Sequence, residues 1–144
     1  MAHTFFENNT NYTVEQQFER DQFTIEIAFA NDDTQLDLLF DTDMEGYDEL
    51  IENLESGFWQ HLICRVQALY DHKVMGESFL GSIVATTGAK WIAEDPTQVE
   101  DMVDEAVSDA QQEAVRMLEV LKRDFLGMKV FKDIDQKVVD NEFN

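Results

Sequence analysis

Basic side chains are scarce in this chain. Ten Lys and Arg stand against 31 Asp and Glu in 144 residues, a formal charge of −21. Without a basic stripe to neutralise phosphates and release counterions, direct binding to DNA, RNA or an anionic membrane is disfavoured. Cysteine occurs once, at Cys64, so no internal disulfide can form. Its place in an alternating apolar run marks it as a buried, inert thiol and fits a reducing compartment. Proline also occurs once, at Pro96, and no Gly/Ser linker is present, which argues against two domains on a flexible tether. No run of 18 apolar residues exists, and the start of the chain lacks both the basic residues and the apolar stretch of a secretory signal. A soluble, cytoplasmic protein is expected, in the host cytoplasm if phage-encoded.

Apolar residues are plentiful. They make up 44% of the chain and include 11 Phe, three Tyr and two Trp. Disorder driven by charge is therefore not expected. A chain of this length buries roughly two-thirds of its unfolded surface, enough for one domain with a core.

The pattern along the chain predicts an α+β fold: a small antiparallel sheet of two hairpins, with acidic helices on one face in the order ββα-ββα. Residues 1–21 read as a lead with a short helix, because Thr13 and Gln16 fit a capping box. Residues 22–127 read as the acidic α+β domain and 128–144 as a C-terminal segment. Phe23, Ile25, Ile27 and Phe29 alternate, and after a polar turn Leu36, Leu38 and Phe40 predict the return strand of a hairpin. Met44, Tyr47, Leu50, Ile51 and Leu54 change to helical spacing, which Gly57 stops. Leu62, Cys64, Val66, Ala68 and Tyr70 alternate again. Asp71 and His72 turn the chain, and Gly76 and Gly81 predict bulges in the strand that runs back. Pro96 opens the longest helix. Its inner stripe is Val99, Met102, Val103, Ala106, Ala110, Ala114, Leu118, Leu121 and Phe125, and Gly127 ends it.

The acid is not spread evenly. Residues 1–115 hold 25 Asp and Glu against four Lys and Arg, whereas 116–144 hold six of each. Two runs lack Lys and Arg altogether: 41–55 with seven carboxylates and 94–113 with eight. On the first predicted helix Glu45, Asp48, Glu49, Glu52 and Glu55 share the outer side. On the long helix Asp101, Glu105 and Asp109 fall four apart, with Glu100, Asp104 and Glu113 alongside. Like charges at this spacing cost an isolated helix a few tenths of a kcal/mol per pair, and neither face has a basic residue of its own to offset that. Solubility and adaptation to high salt both account for an acidic surface, but the second would thin lysine everywhere, and Lys122, Lys129, Lys132 and Lys137 cluster late.

Rows of carboxylates on rigid helices suit the imitation of a polyanion. Duplex DNA presents one charge per about 1.7 Å of axis, and a protein with comparable rows can fill a groove built for it. In composition and size the chain resembles small inhibitors from phages and mobile elements that block restriction, CRISPR or other nucleases. That resemblance implies a non-enzymatic protein whose partner is a basic nucleic-acid-binding protein or nuclease complex. It also implies no cofactor and no direct contact with nucleic acid, and it is compatible with a homodimer. The alternatives are a protein–protein adaptor without mimicry and a calcium-binding module. Residues 41–52 resemble an EF-hand loop, with Asp41, Asp43 and Glu45 at positions 1, 3 and 5, Gly46 at 6 and Glu52 at 12. Position 5 is a longer Glu, position 8 is Asp48, and the preceding residues alternate like a strand. A helical 44–54 and a coordinating loop are mutually exclusive.

Catalytic motifs are not evident. His3, His61 and His72 lack metal-ligand spacing with each other or with Cys64, and no Gly-rich phosphate loop or nucleophile elbow occurs. Trp59 and Trp91 read as core or rim residues, and Phe5, Phe6 and Phe143 as candidate partner contacts.

Overall fold

The computed structural model describes residues 11–33 and 42–129. Among them the order is β1 (Thr13–Arg20), β2 (Phe23–Asn31), α1 (Tyr47–Glu55), β3 (Gln60–Tyr70), β4 (Lys73–Ala85), α2 (Gly88–Glu94) and α3 (Pro96–Phe125). The strands form one antiparallel meander, β1-β2-β3-β4. The α+β class is as expected, with two hairpins and a helix between them. The chain differs at its start and after β4.

Residues 13–20 are a strand, not the short capped helix. Thr13 to Arg20 pair with Phe29 to Phe23, with a register shift between Val14 and Gln16. The helix-favouring Glu-Gln-Gln-Phe-Glu-Arg run yields to the exposed edge of β2, because backbone pairing to a preformed strand outweighs weak local propensity. β2 therefore makes its hairpin with β1 and pairs with β3 on its other side. The expected return strand at Leu36, Leu38 and Phe40 lies outside the described residues, as do Asp41, Phe5, Phe6 and Phe143. The additional short helix α2 is capped by Thr87, whose side chain accepts from the Lys90 amide at 3.0 Å.

The chain divides into two compact units, 1–110 and 111–144, and α3 crosses the boundary. In the first unit one sheet face supplies Phe23, Ile25, Ile27, Phe29, Leu62, Cys64, Val66, Ala68 and Ile83 to a single core. Val99, Met102, Val103, Ala106, Val107 and Ala110 of α3 cover that face. Trp91 of α2 joins at the rim, edge-on to Phe29 at 5.9 Å between ring centroids.

Both glycines of β4 mark irregularities of register: one shift lies between Ala68 and Leu69, beside Gly76, and the other between Leu62 and Cys64, beside Gly81. The Gly76 backbone lies directly against α3. A Cβ built there would lie 2.1 Å from the Ala106 carbonyl oxygen and 2.6 Å from the Ala110 nitrogen, both backbone atoms. Both hairpins turn through two non-glycine residues with positive φ: Asp21 and Gln22 (51° and 73°), and Asp71 and His72 (49° and 65°). Positive φ at both central positions fits the type I′ turn that right-handed strand twist prefers.

Two outcomes follow. Gly76→Ala should lower the free energy of unfolding by on the order of 1–3 kcal/mol, because backbone cannot yield as a side chain does. His72→Gly should raise it by up to about 1 kcal/mol by relieving a left-handed conformation. Urea melts of both variants measure the two effects.

Candidate functional site

Ten of the eleven acidic side chains singled out from the sequence are exposed; Glu113 is half-buried. Glu45 stands in the turn before α1, and Asp48, Glu49, Glu52 and Glu55 are on α1 itself. This helix starts after Gly46 (φ +86°), buries Leu50 and ends at Ser56 and Gly57, where the Ser56 amide donates to the Glu52 carbonyl at 3.0 Å. Asp48 and Glu49 lie favourably in its first turn, whereas its last turn holds no basic residue. Because helix begins at Tyr47 and Gly46 is its N-cap, residues 47–55 do not form the open part of an EF-hand loop.

The row on α3 is more rigidly placed. Its underside, Val99, Met102, Val103, Ala106 and Ala110, is core, so Asp101, Glu105 and Asp109 are held on the outer side of a fixed helix. Successive members are displaced by about 6 Å along the axis. The structure also adds a countercharge that the sequence pattern concealed. Arg20, the last residue of β1, pairs with Glu100 through both terminal nitrogens and lies 3.5 Å from Asp104. Its guanidinium pKa is raised, first by the Glu100 hydrogen bond. No periodicity relates position 20 to 100, so the contact is visible only in the tertiary structure. Glu105 accepts from the Ser78 hydroxyl of β4 at 3.4 Å. Asp101 and Asp109 meet no basic partner among the described residues. Beyond the unit boundary, Glu113 pairs with Arg116 one turn on. The acidic faces thus differ: α1 leads into the Gln60 end of β3, whereas α3 is tied to the sheet through Glu100 and Asp104 to Arg20 and through Glu105 to Ser78.

Several other polar groups have defined contacts. Asp32 accepts the Ser82 amide at 2.8 Å and faces His61 Nε2 at 3.5 Å, with side-chain exposures of 8% for Asp32 and 11% for His61. Ser82 has φ +62°, so the carboxylate clamps a strained bulge. The contact is to the Ser82 amide, not its hydroxyl, and Asp32, His61 and Ser82 are not arranged by it as a nucleophile relay. Arg65 stacks over Tyr12 at 4.1 Å from the ring centroid. A shallow cleft of about 280 Å³ beside Thr13, Glu15, Asn31, Gln60 and Thr87 contains one carboxylate. Among the described residues no group of three His, Cys, Asp or Glu side chains is placed to hold a metal, and no helix is long and apolar enough to cross a membrane. No protein-family model, curated protein or solved structure matches the chain.

Cys64 is fully buried, and burial pushes its thiol up to about 12. The unfolded thiol ionises near pH 9. Since the folded pKa is the higher one, stability is unaffected by Cys64 below pH 9 and falls as pH rises from 9 toward 12. The limiting slope is about 1.4 kcal/mol per pH unit. Cys64→Ala should flatten that decline in denaturant melts, and the native thiol should resist alkylation at pH 8 until the protein is unfolded.

Proposed function

We propose that the protein is a small acidic inhibitor that occupies the nucleic-acid-binding surface of a DNA-processing or host-defence protein. The observation that carries the reading is the row Asp101, Glu105, Asp109, exposed on a helix whose opposite side is bedded in the core. A phosphate surrogate needs charges at fixed spacing, because ordering a mobile chain at the moment of binding lowers affinity. Arg20 strengthens the case by bracing Glu100 and Asp104 while leaving the outer row unneutralised. A field of this sign steers a basic groove toward the helix and makes association fast and salt-sensitive. The inhibitor would act where nucleic acid is handled, in the cytoplasm. The row on α3 is its centre, and the acids of α1 add to the field.

Competition tests the reading. Proteins captured from extract by the immobilised full chain at low salt are challenged with a short DNA duplex. The duplex should release them, and the Asp101→Asn, Glu105→Gln, Asp109→Asn triple variant should bind at least about tenfold more weakly with unchanged circular dichroism. Partners that survive both duplex and salt, or that bind the triple variant equally well, would point to an adaptor without mimicry.

A further inference from the structure

We infer that the C-terminal half of α3 is a self-association surface on which two copies of the chain pair antiparallel. The apolar line of this helix is continuous in sequence, but it has two fates. Through Ala110 it is buried. Beyond it, Ala114 is exposed, and Leu118, Leu121 and Phe125 retain 50%, 41% and 44% of their surface. Val115 beside them retains 58%. These residues recur at spacings of four, three and four, the pattern of a helix–helix seam. A 15-residue helical segment is marginal alone in water, and most of its stability must come from packing its apolar face. Together the exposed side chains make one apolar line along the helix.

Charge selects the occupant. Residues 116–144 carry six acids and six bases, while everything before them carries the whole −21. The stretch 111–129 holds three acids and four bases, so two copies of it meet without the repulsion that two acidic rows would bring. A basic partner would have no preference for it over the acidic rows.

Charge and shape also select the direction. Setting Leu118 against the second copy's Leu121 in an antiparallel pair places Ala114 against Phe125, a small residue facing a large one in each layer. A parallel pair would oppose Ala114 to Ala114 and Phe125 to Phe125. The antiparallel pair fills each layer evenly, whereas the parallel one leaves a gap at one end and crowds the other. Flanking Lys122 then faces Val115, and Asp124 faces Met117, so no like charges are opposed.

Sedimentation equilibrium of the full chain at micromolar concentration should give twice the 16.7 kDa chain mass, with association tightening as salt screens the net charge. Leu118→Glu with Leu121→Glu should return the mass to that of one chain with unchanged circular dichroism. In a Cys64→Ala background, mixed Leu118→Cys and Leu121→Cys chains should cross-link to each other far faster than either cross-links to itself. A monomer at all concentrations overturns the inference. So does Leu121→Cys linking preferentially to itself, which indicates a parallel pair. A monomeric Leu118→Cys chain that resists thiol reagents also overturns it, because the face would then be covered from within the chain itself.

Discussion

The seating of the first half of α3 on the sheet is the contact on which the first unit depends. Ile25, Ile27, Cys64 and Val66 on one side and Val103 and Ala106 on the other are almost wholly removed from water. Full burial of one such aliphatic side chain contributes about 1.5–3 kcal/mol. The like-charge pairs along the outer side cost a few tenths each. Burial therefore wins by a wide margin, and the helix can tolerate an acidic face that would weaken it in isolation. The bare Gly76 backbone lets the helix come close enough for this to happen. Core packing is thus the condition for the carboxylate row, and the row's spacing is fixed from beneath.

Arg20 changes how the charge is read. On the sequence it is one of four bases in a long acidic stretch. In the structure it spends that charge on Glu100 and Asp104, at the rim of the row. A surface pair of this kind contributes about 1 kcal/mol or less. Its larger effect is to fix side chains and divide the acids into a braced pair and an outer line.

Much of the fold was legible because burial writes itself in periodicity. The alternation of Phe23 to Phe29 and of Leu62 to Tyr70, the two glycine irregularities in β4, the stop at Gly57 and the start at Pro96 all have local causes. β1 was not legible. Its strand state comes from pairing with β2, and its Glu-Gln-Gln-Phe-Glu-Arg run has no apolar alternation to betray it, since an edge strand here buries little. The short α2 was missed for a related reason: seven residues hold too few turns for a stripe. On α3 the apolar stripe is continuous in sequence, but it is buried only through Ala110. Periodicity identifies a face, and it does not say how far a particular sheet extends beneath it. The exposed acids were legible as a class, because Asp and Glu are seldom buried unpaired. Their division by Arg20 required the tertiary contact.

The central claim is that the acidic row is rigid because the helix beneath it is core. Site-resolved amide hydrogen exchange tests this most directly. Residues 99–110 should exchange only through global unfolding, with the same opening free energy as the central strands β2 and β3. Exchange of those amides through local opening, at rates well above the strands, would show a helix loosely laid on the sheet and would contradict the account.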